Sequence, residues 1–215
     1  MEIENNYIAA GTPLNGAAQA LIMIHGRGAS AASILPLAAY LSLPEHTALL
    51  ALQAPHHTWY PNSFIAPVET NQPALDEALA MVDSLVSQVV EAGIPKANIY
   101  FLGFSQGACL TLEYVSRNAT RYAGVVAFTG GLIGAELLET QYEGDFKETP
   151  ILISTSNPDH HVPLRRVKDS GCQLERMHAK ITVVAHPGKP HNITDEEIAL
   201  ANKLIFTPKV ALEQS

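Results

Sequence analysis

The sequence predicts a doubly wound α/β fold, a mostly parallel sheet with helices on both faces and no large lid. Two observations carry it. Short apolar runs alternate with longer amphipathic segments along the chain. Most of those runs lack in/out alternation, as strands covered on both faces do.

Taken in order, Ala20–Ile24 reads as the first strand and Ser30–Leu41 as a helix. Ala48–Leu52 is the next strand. The clearest helix follows Pro73: Leu75, Leu79, Val82, Leu85, Val86, Val89 and Val90 repeat at helical spacing, and Gly93 with Pro95 ends it. Then come a strand at Ile99–Gly103, a helix at Gln106–Arg117 and strands at Gly124–Phe128 and Ile151–Thr155. A helix at Leu164–Met177, a strand at Ile181–Ala185 and a helix at Thr194–Leu204 complete the set. Thr194 with Glu197 three residues on is a capping box. The tail "TPKVALEQS" is expected to be loosely held.

The chain has 215 residues, 47% hydrophobic and 16% charged, enough apolar material for one core, so residues 1–215 are read as a single domain. Net charge is −8, and Arg165-Arg166 is the only basic doublet. That excludes a nucleic-acid partner, which needs clustered cations to displace counterions. Aliphatic stretches such as "ALIMI" fall far short of the roughly 20 residues that span a bilayer. The acidic start "MEIENNYIAAG" lacks the basic and apolar regions of a signal peptide. Cys109 and Cys172 have no metal or disulfide spacing and read as small buried residues on helices. A reducing, cytoplasmic setting follows.

Between a strand and a helix stands Gly103-Phe104-Ser105-Gln106-Gly107, a G-x-S-x-G pattern. At a sharp strand-to-helix turn the central serine is held out as a nucleophile, and the flanking glycines let strand and helix approach. A tight turn alone would also place a small residue there, but the strand before and helix after favour the nucleophile. A serine needs a base and an acid, which in this architecture follow it in the order acid, then histidine. Asp159 lies in the loop after the strand "ILIST". Asp145 precedes that strand, while Asp169 and Asp195 fall within helices. Of the later histidines, His160 and His161 adjoin the acid and His178 sits at a helix end. His186 and His191 lie in "VVAHPGKPHNITDEE", after the last strand. His191, at the far end of that loop, is the expected base, and His186 reads as structural. The oxyanion of a tetrahedral intermediate needs amide donors. The expected ones are the backbone N–H groups of Gln106 and of Arg27, the latter in the glycine-rich junction His25-Gly26-Arg27-Gly28. The Arg27 side chain is read as solvated, with attraction of an anionic substrate as the alternative.

Together "IHGRGAS", "GFSQGA", "PDHHVP" and "PHNITDEEI" resemble the carboxylesterase/phospholipase family of α/β hydrolases, which includes acyl-protein thioesterases and small bacterial esterases. The likeness runs from about residue 20 to 205. It implies an α/β-hydrolase fold and a cofactor-independent serine hydrolase acting on carboxylic esters or thioesters. Ser105, Asp159 and His191 then take the catalytic roles, with Arg27 and Gln106 at the oxyanion. Homodimers occur in that family. The chain departs from its pattern at Ser156-Asn157-Pro158-Asp159, and at Lys189-Pro190 where a second glycine is usual.

Substrate contacts are expected from His25 at the first junction and from Trp59, Leu132 and Ile133. Trp59, with Tyr60 and Phe64, follows the strand ending near Leu52, and Leu132 and Ile133 follow the one ending near Phe128. They form an apolar wall for a short or medium acyl or aromatic group. Two rivals stand beside this reading. Nine histidines, with His56-His57 and His160-His161 near Asp159, suggest a metal hydrolase, though no metal-site spacing supports it. A non-catalytic binding module on the same scaffold is the other. Neither a metal nor a cofactor is expected.

Overall fold

Seven strands form one sheet in the order β1-β3-β2-β4-β5-β6-β7. The computed structural model of the chain describes residues 6–137 and 139–206, so the tail "TPKVALEQS" lies outside the described residues. The strands are β1 Tyr7–Gly11, β2 Gln19–Ile24, β3 Thr47–Leu52, β4 Ile99–Phe104, β5 Gly124–Phe128, β6 Pro150–Asn157 and β7 Lys180–Pro187. All neighbours run parallel except β1, which pairs antiparallel with β3 from Tyr7↔Leu52 to Gly11↔Ala48. This edge strand was not among the sequence expectations. Its five residues follow a polar lead, and only pairing with β3 makes them a strand.

The helices are α1 Ala31–Ile34, α2 Ala74–Glu91, α3 Gln106–Arg117, α4 Leu164–Arg176 and α5 Asp195–Ala201. Apolar residues of α2, α3 and α4 join one face of the sheet in a large core, where Val82, Leu112 and Val167 meet Ile22, Phe101 and Ile153. A smaller core on the other face packs Ile34 of α1 and Ala201 of α5 against Met23, Leu102 and Leu152. Burial on both faces is why the central strands read as continuous apolar runs. Val90 of α2 falls off the stripe and is 40% exposed.

Two helices differ from expectation. Ser30 caps α1 by accepting the Ser33 amide, but α1 stops at Ile34 and continues as a 3-10 turn through Tyr40. Pro36 has no N–H to extend the α-helical ladder. After Ala201 the chain widens into a π-helical turn over Asn202–Phe206.

Strands β3 and β4 leave β2 on opposite sides, so β2 and β4 form the switch point of the sheet. Ligands collect at the carboxyl edge of such a point. There the loops after β2, β4, β6 and β7 converge, walled by the connection between β3 and α2. Among the described residues no separate lid unit covers this edge, and no helix is long and apolar enough to cross a membrane.

Candidate active site

Ser105 stands between β4 and α3 with φ 53 and ψ −118, a left-handed conformation that costs a non-glycine residue energy. The surroundings hold it there. Its N–H donates to Phe128 O at 2.9 Å, and its carbonyl accepts the Cys109 amide at 3.0 Å. The flanking glycines are required by crowding. A Cβ on Gly103 would meet Gly107 O at 2.4 Å, and one on Gly107 would meet Ile24 O at 2.1 Å. With no side chain at either place, α3 seats directly on β2 and β4, and the serine hydroxyl projects from the turn.

That hydroxyl lies 2.9 Å from His191 Nε2, and His191 Nδ1 lies 2.7 Å from Asp159 Oδ2. An ionised carboxylate can only accept, so Nδ1 carries the proton and Nε2 is the free acceptor facing serine. Asp159 follows β6 after a cis Asn157–Pro158 bond. Its Oδ2 also accepts from Ser156 Oγ at 2.7 Å, and Oδ1 accepts from the amides of His161 and Val162 at 2.8 and 2.9 Å. Burial alone would raise its pKa. The bonds from His191, Ser156 and the two amides overcome it and hold the carboxyl well below the usual carboxylate range. Ser156 and the two amides were not legible in the sequence as parts of the site. Asp145 instead sits 3.3 Å from His178 at the far end of β6.

His186 is on β7 itself, inside the strand that runs to Pro187, rather than beyond it. Its Nε2 lies 2.9 Å from Ser154 Oγ.

Gln106 is the first residue of α3, so its amide is one of those a helix leaves without an internal partner. Gly26 places Arg27 beside it, since a Cβ on Gly26 would stand 3.4 Å from Ser105 Cβ. Both side chains do further work. Gln106 accepts the Trp59 amide at 3.1 Å and donates to Tyr60 O at 2.7 Å. The Arg27 guanidinium donates to the carbonyls of Tyr60, Pro61 and Asn62 at 2.8 to 2.9 Å. The side chain is exposed, as the sequence reading expected, and borders the cavity over Ser105, with its Nη atoms held on three backbone acceptors.

A cavity of about 530 Å³ opens over Ser105, bounded by Tyr60, Phe64, Ile65, Val162, Pro163, His160 and His161. The expected contacts lie elsewhere. His25, Trp59, Leu132 and Ile133 are all buried and none borders this cavity. His25 Nε2 accepts the Ala54 amide at 3.1 Å and Nδ1 faces Gly26 O at 2.8 Å. Burial lowers its pKa, which suits a neutral ring bracing the junction. Trp59 Nε1 donates to His25 O at 2.8 Å, turning the indole inward. The amides of Leu132 and Ile133 are taken by Ser170 Oγ and Glu113 Oε2, each at 2.9 Å, so their side chains face the core. Of the expected wall, Tyr60 and Phe64 do line the cavity, and Ile65 joins them.

Cys109 is buried, and burial pushes its thiol up to about 12. Cys172 is exposed on α4, not buried as its helical position suggested. His57 Nδ1 lies 2.7 Å from Ala29 O. Among the described residues no group of three His, Cys, Asp or Glu side chains is spaced to hold a metal ion.

A sequence profile described as phospholipase/carboxylesterase matches residues 5–207. The chain belongs to that family. Among solved structures, a phospholipase/carboxylesterase from Dyadobacter fermentans DSM 18053 is 52% identical with a TM-score of 0.91, covering 94% of this chain and 96% of that one. A probable carboxylesterase SOBER1-like of Arabidopsis thaliana is 29% identical over 60% of this chain, and the match spans 49% of that relative's length. An acyl-protein thioesterase 1 of Yarrowia lipolytica is 25% identical over 65% of this chain and 68% of its own. The mostly parallel seven-stranded sheet fits this phospholipase/carboxylesterase membership and its α/β-hydrolase fold.

Proposed function

We propose that the protein is a serine hydrolase that cleaves carboxylic esters, and thioesters, of short or medium acyl or aromatic groups through an acyl-enzyme. One observation carries the reading: Asp159, His191 and Ser105 stand in a hydrogen-bonded row beside a cavity. Family membership and relatives named carboxylesterase and acyl-protein thioesterase support it.

In the first step His191 Nε2 takes the hydroxyl proton as Ser105 Oγ bonds to the substrate carbonyl carbon. The carbonyl becomes an oxyanion that accepts from the amides of Arg27 and Gln106. His191 then gives its proton to the departing oxygen or sulfur as that bond breaks, leaving an ester on Ser105. Water enters, loses a proton to His191 and attacks the ester, and the same proton returns to Ser105 Oγ as the acid leaves. Asp159 stays ionised throughout, fixing the imidazole tautomer and stabilising its charged form. The acyl or aromatic group rests on Phe64, Ile65, Val162 and Pro163. The unpaired thiols accord with a reducing, cytoplasmic setting.

The test is a panel of esters and thioesters of graded acyl length on wild type and Ser105→Ala, alongside fluorophosphonate labelling. The reading requires turnover on at least one series and both turnover and labelling lost in the variant. Labelling that survives in Ser105→Ala overturns it.

A further inference from the structure

Behind His191 lies a buried ion pair that the reaction does not consume. The Lys189 and Glu197 side chains are 6% and 0% exposed, and Lys189 Nζ is 3.1 Å from Glu197 Oε2. The ammonium also donates to the Asn192 carbonyl. Lys189 thus spans the turn Pro190-His191 and closes it from both sides. Glu197 gathers the rest. Its Oε2 accepts the Thr194 amide at 3.0 Å and the Thr194 hydroxyl at 3.1 Å, and its Oε1 accepts Ser154 Oγ at 2.8 Å. Ser154 has spent its proton, so His186 Nε2–H donates to it across 2.9 Å.

One carboxylate therefore joins β6, which carries the Asp159 loop, to β7 and to the turn that carries His191. Capping α5 explains only part of this. A capping box needs Thr194 and Glu197 alone, and the helix it caps has seven residues. A buried ammonium adds nothing to that cap and costs desolvation on both ions. What it adds is a fixed path for Pro190 and His191. The two hydrogen bonds of His191, 2.9 and 2.7 Å long, tolerate displacement of only about 0.5 Å.

We propose that Lys189 and Glu197 are a positioning pair that sets the His191 imidazole between Ser105 and Asp159. The proposal rests on the triad reading above. Three variants test it: Lys189→Met, Lys189→Arg, and the double variant Lys189→Met with Glu197→Gln, which removes both charges and keeps an amide for Thr194 and Ser154. The readouts are kcat and KM with p-nitrophenyl acetate, thermal unfolding, and the low-field proton resonance of the His191–Asp159 hydrogen bond.

Lys189→Met is expected to lower kcat roughly 10- to 100-fold, the scale of a small misplacement, with KM changed less than about threefold. The low-field resonance should broaden or vanish. Lys189→Arg should restore part of kcat. The double variant should recover the lost stability, because no orphan charge remains, yet keep the low kcat. Recovery of wild-type kcat together with stability, or an unchanged kcat and resonance in folded Lys189→Met, overturns the proposal. Failure of the triad reading looks different, since Ser105→Ala would then retain turnover whatever Lys189 does.

Discussion

A Cβ on Gly107 would stand 2.1 Å from the carbonyl oxygen of Ile24. This contact between the first turn of α3 and the end of β2 determines how Ser105 is presented. The obstacle is backbone, which cannot swing aside as a side-chain tip can. Gly107→Ala is expected to lower stability by about 3 kcal/mol, the upper end of the range for overpacking, because backbone is the obstacle. Whatever folds should lose activity by misplacing the serine. Thermal unfolding and fluorophosphonate labelling check both, and a wild-type melting temperature would contradict the steric argument.

Ser105→Ala keeps the fold, since alanine is smaller and the turn is bound through its backbone. Turnover should fall at least about a thousandfold, measured on the best ester of the panel, with the circular dichroism spectrum unchanged.

Asp159→Asn should cost about 10⁴-fold in kcat, because an amide offers the wrong group to His191 Nδ1–H. Its pH dependence follows from the depressed folded-state pKa. A lowered carboxylate pKa adds stability that is present above the unfolded value, near 3.8, and is lost as pH falls below it through the folded pKa. The stability gap between wild type and Asp159→Asn should hold from neutral pH to about 5 and narrow toward about 2. Denaturant unfolding at several pH values measures it, and a gap that widens on acidification contradicts the assignment.

Phe64 and Trp59 separate wall from core. Phe64→Ala opens the cavity and should change the dependence of kcat/KM on acyl length. Trp59→Ala, behind the wall, should cost about 3–5 kcal/mol in stability while the folded fraction keeps its acyl preference. An acyl-length profile altered by Trp59→Ala and untouched by Phe64→Ala would reverse the assignment.

The two thiols should differ sharply. Cys172 is exposed, while Cys109 is buried with its pKa pushed up to about 12. A thiol reagent should titrate one group quickly in the native protein and the second only on unfolding. Rapid reaction of both would contradict the burial of Cys109.

The sequence by itself determined the alternation of strands and helices, the turn at Ser105 and the chain order of Asp159 and His191. These features are local: apolar periodicity, a glycine on either side of a serine, a capping box. It left out β1, whose pairing with β3 supplies what its own five residues do not signal. Tertiary structure decided that Trp59, Leu132 and Ile133 turn away from the cavity while Tyr60 and Phe64 stay on it. Trp59 turns inward because its ring nitrogen reaches His25 O and its amide reaches Gln106, 47 residues away. Phe64 and Ile65 become the wall because Arg27 grips the carbonyls of residues 60 to 62 ahead of them. The same holds for Glu197, legible as a cap but not as the buried partner of Lys189. Side-chain direction in a loop is set by hydrogen bonds from distant elements, and no local pattern encodes it.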